Sequence, residues 1–358
     1  MIGKIIRLFL WAVAAVLALA LASAAALALL VFARYHLNDR PISLPTPRGP
    51  HLVGRSLVEW HDKIRNRDLV VFIWYPADPG ATGDRCEYLP GKWGELNAKD
   101  MLPIPAKRVR EIGVSAIGDA PLAQEPMPVL VMLPGMGRNP ANYTTLAEDL
   151  ASFGNLVLGV APTGSTTVVF PDGTVEQARE FDPRLDDVRI AQGYVDEWSE
   201  DASFALSQLL ADSRFSGHIL PADIGVFGHS FGGNVALHLL ETDLRFARAA
   251  DIDGAFFGKP FGHLSKPILI LGAVGDLGSK QRALYEHGVA GSHFHLFPGA
   301  KHMNFSDAGV LPSRYPIPKR ILMLGDIDGA LLLRETSDQL RAFFDDPSVH
   351  APPAHSLD

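Results

Sequence analysis

Cysteine is all but missing from this 358-residue chain. Cys86 stands alone, so no intrachain disulfide can form and multi-cysteine zinc or iron–sulfur sites are excluded. An excess of positive charge is missing too. The 32 Lys and Arg face 40 Asp and Glu, and the net charge of −8 gives a polyphosphate backbone no general attraction, so nucleic acid is not an expected partner. Internal repeats of about 20–50 residues are absent, which excludes solenoid and propeller arrays.

Charge of either sign is absent from Leu8 to Ala33, an uninterrupted run of 26 residues. As a helix it reaches roughly 39 Å, enough to cross a hydrocarbon core of about 30 Å. Lys4 and Arg7 form a short basic tail before it, as in signal-anchors and signal peptides. The run exceeds the usual signal-peptide apolar region of about 7–15 residues, which favours a transmembrane anchor over residues 1–34. Cleavage after Ala22-Ser23-Ala24 stays open as the alternative and would leave a secreted protein. Basic residues on the far flank (Arg34, Arg40, Arg48) leave the charge rule undecided. The short basic tail places the following domain outside the cytoplasm, on the periplasmic or extracellular side.

What is there after the anchor divides cleanly. Residues 35–51 carry Pro41, Pro45, Pro47 and Pro50 and read as an extended linker. Residues 52–346 read as one domain, and 347–358 as a disordered tail. Within the domain, apolar runs of strand length recur at 69–75, 129–133, 155–160, 224–227, 268–272 and 293–297. Several are apolar on both faces, as buried parallel strands are. Helical patterns separate many of them, at 143–153, at 187–210 and, closing the domain, at 328–344. The alternation predicts an α/β fold with a mostly parallel central sheet and helices on both faces, preceded by the transmembrane helix.

One strand-to-helix junction carries chemistry. The run Ile224 to Phe227 leads into Gly228-His229-Ser230-Phe231-Gly232-Gly233 and then into a helix starting near Gly233. This resembles the nucleophile elbow of the α/β-hydrolases, whose flanking glycines admit a sharp turn that exposes the serine at a helix N-terminus. The five-residue pattern alone arises by chance in roughly one chain of this length in five, so its strand and helix context carries the weight. A second loop, Pro134-Gly135-Met136-Gly137, follows the strand at 129–133. Backbone N–H groups of Met136 and Phe231 are the expected oxyanion donors.

Chain order in such hydrolases is serine, acid, histidine, so the base must follow residue 230. His238 lies in the elbow helix, and His293 and His295 alternate along a strand, where two ligands without a third make a poor metal site. His263 and His287 carry no signal. His302 follows the last strand through Pro298-Gly299-Ala300-Lys301, in a loop that can bring an imidazole over Ser230, and is the expected general base. Two carboxylates end apolar runs in the interval, Asp253 and Asp276, and spacing alone does not choose between them.

Together these residues resemble the platelet-activating-factor acetylhydrolase type of α/β-hydrolase, over roughly residues 52–346. The resemblance rests on Arg67-Asp68 leading into Ile73-Trp74-Tyr75-Pro76, on the Leu133–Gly137 loop, on Asp149-Leu150-Ala151-Ser152-Phe153-Gly154 and on Gly228–Gly233. Further on come Asp251-Ile252-Asp253-Gly254, His302-Met303-Asn304-Phe305-Ser306-Asp307 and Ala342-Phe343-Phe344-Asp345. It implies that the acid is Asp253, with Asp276 as the alternative at the position used by most other α/β-hydrolases. Pro134 departs from the family loop, which usually has histidine there. The resemblance also implies hydrolysis of short acyl esters, acetyl or oxidised acyl groups of phospholipids among them, with no cofactor and no metal. The substrate partner would be a small ester or a phospholipid. Two rivals remain: a cutinase-like polyester hydrolase using Asp276, and a membrane-anchored binding module without catalysis.

Overall fold

The structure is a computed structural model and describes residues 2–37, 41–97, 106–179, 182, 184–262, 264–275, 278–287, 289–311 and 318–345. The expected tail at 347–358 lies outside the described residues. Helix α1 spans Ile2–Leu37, and its segment Leu10–Leu30 is long and apolar enough to cross a membrane. None of that segment is buried against the rest of the chain, and Trp11, Leu19 and Leu21 are exposed. An anchor and a signal sequence share these properties.

Residues 41–51 are extended, as four prolines dictate, but they lie along the domain rather than away from it. Ile42 and Leu44 are buried, and the Leu44 N–H donates to the Gly113 carbonyl at 2.9 Å. The Arg48 guanidinium bridges Asp149 at 2.7 Å and Asp338 at 2.9 Å, tying the segment to two helices at once. Apolar side chains at alternate positions among the prolines cause this docking. Proline spacing predicts extension and says nothing of what the extended chain covers.

The first strands are β1 (Leu52–Asp62) and β2 (Arg67–Ala77), a hairpin paired from Leu52↔Ala77 to Asp62↔Arg67. Short elements follow, α2 (Lys92–Asn97), α3 (Ala106–Arg110) and β3 (Ile117–Gly118). Then come β4 (Met127–Leu133), α4 (Thr144–Ser152), β5 (Leu156–Val160) and a small hairpin of β6 (Val168–Val169) and β7 (Val175–Glu176). The second half runs α5 (Val188–Ala211), β8 (Ile219–His229), α6 (Phe231–Thr242), β9 (Arg248–Ile252) and β10 (Ile268–Ala273). It ends with α7 (Ser279–Glu286), β11 (His293–Phe297) and α8 (Gly329–Asp345).

Nine strands form one sheet in the order β11-β10-β9-β8-β4-β5-β2-β1-β3. From β5 to β11 every neighbouring pair is parallel, whereas β2 runs antiparallel to both β5 and β1. Side-chain alternation sorts the strands into two cores. Val70, Phe72 and Trp74 of β2 join Leu130 and Met132 of β4 against Leu146 and Leu150 of α4 and Leu332 and Leu340 of α8. Val71 and Ile73 join Val129 and Val131 against Val195, Trp198 and Leu206 of α5 and Val235 and Leu239 of α6. A central strand covered on both faces has no polar face to show, which is why these runs are continuous in the sequence. The expected mostly parallel sheet with helices on both faces is what the chain forms.

Candidate active site

Ser230 sits between the last residue of β8 and the first of α6, at φ 57° and ψ −123°. A non-glycine residue persists there only when its surroundings hold it. Bare neighbours make the turn possible. A Cβ added at Gly228 would lie 2.2 Å from Gly232 backbone, and one at Gly232 would lie 2.4 Å from the Leu133 and Pro134 carbonyl oxygens. The Ser230 N–H donates to the Ile252 carbonyl at 2.9 Å, fixing the serine beside the end of β9. Phe231 begins α6, in the first turn where helix N–H groups lack intrahelical acceptors.

The loop after β4 approaches from the other side. A Cβ at Gly135 would come within 3.3 Å of Ser230 Cβ, which places the residue before Met136 against the serine. The loop is closed by Arg138 N–H to the Gly135 carbonyl at 2.9 Å and by Gly137 at φ 71°. A cavity of about 510 Å³ opens beside it, lined by Met136, Arg138, Thr166, Arg179 and Tyr194 among others. Its lining does not include Ser230, so it flanks the serine rather than enclosing it.

Asp253 follows β9 at φ 50°, with its N–H donating to the Leu271 carbonyl at 2.7 Å. Its Oδ1 accepts the Ala273 N–H at 2.8 Å, and its Oδ2 accepts His302 Nδ1 at 2.7 Å. Burial pushes this carboxyl up, but the hydrogen bonds from His302 and Ala273 outweigh it and hold Asp253 below the usual carboxylate range. A carboxylate only accepts, so Nδ1 carries a proton, and in the neutral imidazole Nε2 is the nitrogen with the free lone pair. The Asp253 side chain is 6% exposed and that of His302 24%. The imidazole therefore joins a buried acid to open solvent.

His302 opens a tight turn, His302–Phe305, whose far end is anchored by Asp307. Asp307 is buried and accepts the Thr144 N–H at 2.9 Å and the Thr145 N–H at 3.1 Å, capping α4, and Tyr88 Oη–H at 3.0 Å. Burial nevertheless pushes its carboxyl up to about 7 against the pull of those donors. His229 lies behind His302, with ring centroids 4.4 Å apart and 3% of its surface exposed. Burial, and then the charge His302 can carry, push its pKa down to about 3, so it stays neutral. Its Nε2–H donates to the His302 carbonyl at 2.9 Å. A carbonyl cannot donate, so Nδ1 is the acceptor and takes the Tyr143 hydroxyl proton at 2.9 Å.

Of the residues singled out in the sequence, the structure brings Ser230, Asp253, His302, Met136 and Phe231 to one edge of the sheet, after the C-terminal ends of β4, β8, β9 and β11. Asp276 and His263 lie outside the described residues. His238 and His287 are on α6 and at the end of α7, and His293 and His295 on β11. His229, Asp253 and His302 come within 4.8 Å of one another, the spacing of a metal site. Both nitrogens of His229 and Nδ1 of His302 are engaged in protein hydrogen bonds, which leaves His302 Nε2 and the carboxylate as donors, too few for a closed site. Sequence reasoning assigned no role to His229, Tyr143 or Asp307. The signal available was the histidine just before Ser230 and the acid five residues after His302.

No family model matches the chain. A probable 1-alkyl-2-acetylglycerophosphocholine esterase of Arthroderma benhamiae is 26% identical over 250 residues, covering 60% of this chain. The match spans only 59% of that relative's length. A ferulic acid esterase from Streptomyces cinnamoneus superimposes with a TM-score of 0.74 at 26% identity, covering 88% of this chain and 97% of the esterase. By sheet order, by strand-turn-helix geometry at Ser230 and by these likenesses, the chain has the α/β-hydrolase fold of the esterases and is distantly similar to a platelet-activating-factor acetylhydrolase-like protein.

Proposed function

We propose that the chain is a serine hydrolase of carboxylic esters. Ser230 Oγ attacks the ester carbonyl, His302 Nε2 takes its proton, and Asp253 holds the imidazole in the Nδ1–H tautomer and stabilises the imidazolium. The Met136 and Phe231 N–H groups hold the oxyanion, an arrangement in which one donor is typically worth about 2.7–4 kcal/mol. The alcohol leaves with the proton from His302, and water then attacks the acyl-enzyme with His302 again as base. The observation that carries the reading is the 2.7 Å bond from His302 Nδ1 to a buried, ionised Asp253, directly after the strand whose end fixes Ser230.

The likeness to the Arthroderma benhamiae esterase supports short acyl esters as substrates, acetyl or oxidised acyl groups of phospholipids included. The ferulic acid esterase likeness supports the reaction class rather than the alcohol. In this reading residues 1–34 anchor the chain in a membrane, residues 35–51 lead to the domain, and residues 52–346 form a catalytic domain outside the cytoplasm, near lipid substrates. The test uses full-length protein in detergent with p-nitrophenyl acetate, butyrate and longer esters, alongside an acetylated glycerophosphocholine. Hydrolysis that falls with acyl length, and is lost in Ser230→Ala, is the expected result. A folded wild-type chain that hydrolyses none of these esters overturns the proposal in favour of a binding module.

A further inference from the structure

Three hydrogen bonds run in series beneath Ser230. The Gly135 N–H donates to Tyr143 Oη at 2.9 Å, Tyr143 O–H donates to His229 Nδ1 at 2.9 Å, and His229 Nε2–H donates to the His302 carbonyl at 2.9 Å. Every polarity in the series is forced from its ends, because an amide N–H can only donate and a carbonyl can only accept. The tyrosine hydroxyl must therefore accept from one side and donate to the other. The histidine must be the neutral Nε2–H tautomer. All of it is buried: Tyr143 is 3% and His229 3% exposed. Burial raises the tyrosine's pKa and lowers the histidine's to about 3, so neither changes charge over the working range.

The two ends of the series are the loop that precedes Met136 and the backbone of His302. We propose that Tyr143 and His229 are positioning residues that lock the oxyanion loop and the general base into one hydrogen-bonded unit around Ser230. The proposal rests on the catalytic reading above and adds a role for the residue between the first glycine and the serine. Its physical content is pre-organisation. Asp253 holds only the Nδ1 end of the imidazole, and a donor on the His302 backbone carbonyl fixes the peptide from which that side chain extends. The same donor is connected through Tyr143 to the peptide next to Met136, so loop and base cannot drift apart independently. Neither side chain touches the reacting atoms. A loss of either should lower kcat and leave KM nearly unchanged.

The discriminating experiment compares three variants of the full-length chain in detergent, with p-nitrophenyl butyrate as the probe. His229→Phe fills the space but makes no hydrogen bond. His229→Gln fills it less well but can place an amide N–H where Nε2–H stood. Tyr143→Phe deletes one hydroxyl from the middle of the series. Loss of one or two buried hydrogen bonds predicts a fall in kcat of about 10–100-fold for His229→Phe and about 10-fold for Tyr143→Phe, with KM within about twofold. His229→Gln should recover at least half of the lost factor on a logarithmic scale. Thermal melting of each variant separates positioning from unfolding. If Phe at 229 works as well as His, or if Phe and Gln are equally impaired in folded protein, the side chain acts by packing and the proposal is wrong. Should Ser230→Ala, run alongside, retain full activity, the catalytic reading itself falls. A silent Ser230→Ala beside a fully active His229→Phe condemns the positioning role alone.

Discussion

The turn from His302 to Asp307 is held at its two ends by carboxyl groups of opposite character. At one end Asp253 keeps its charge, because an imidazole and a backbone amide donate to it and the imidazole faces solvent. At the other end Asp307 accepts three donors yet has a pKa pushed up to about 7, because burial outweighs them. The same functional group is thus a candidate catalytic partner in one place and a helix cap in the other. What separates them is how burial balances against the partners: it outweighs the donors at Asp307, and the imidazole and the amide outweigh it at Asp253. Asp251 extends the lesson. Two residues before Asp253 and fully buried, it is pushed well above the carboxylate range by burial and by the neighbouring Asp253 charge.

That contrast can be broken by mutation. The largest effect is expected for Asp253→Asn, which leaves Ser230 in place but disfavours the Nδ1–H tautomer, lowering kcat by up to about 10⁴-fold. Its melting temperature should stay close to that of wild type. An Asp253→Asn enzyme that is folded and active would return Asp276 to candidacy as the acid. Asp307→Ala should do the reverse. It strands the first N–H groups of α4 and a buried Tyr88 hydroxyl, a loss of about 3 kcal/mol of stability measurable by denaturant unfolding. At temperatures where the variant remains folded, its kcat should fall far less than that of Asp253→Asn.

A subtler test is the pH dependence of stability. Because the folded Asp307 carboxyl titrates near 7, above its unfolded value, its contribution is fully present below about pH 4 and is lost as pH rises through about 7. Asp307→Asn should flatten that part of the stability profile between pH 4 and 8. An unchanged slope would show that Asp307 is ionised throughout. Smallest of all is the control at a third carboxyl, Asp68, paired with His61 at 2.6 Å where both side chains are 45% exposed. Asp68→Asn should change stability by no more than about 0.5 kcal/mol, as exposed pairs do.

Much of this was legible in the sequence. All six apolar runs are strands, and the long amphipathic stretches at 187–210 and 328–344 are α5 and α8. The elbow was readable because its steric demand falls on glycine, whose absence of a side chain is visible in one dimension. β1 was not read, because Arg55, Ser56, Glu59 and His61 interrupt its apolar pattern. It is a strand because β2 supplies a hydrogen-bonding edge along its whole length. The role of Asp307 was hidden for a similar reason. Its three partners lie on Tyr88, Thr144 and Thr145, far away in sequence, and only the folded chain joins them. The helix near Gly233 begins two residues earlier, at Phe231, so that the elbow passes into it without an intervening loop.

The most direct test of the central claim is covalent. Full-length protein treated with a fluorophosphonate, digested and analysed by mass spectrometry should carry one phosphonyl group on the peptide containing Ser230. Asp253→Asn should label far more slowly, and Ser230→Ala not at all. Stoichiometric labelling of another residue, or undiminished labelling of Ser230→Ala, would contradict the assignment of Ser230 as the nucleophile.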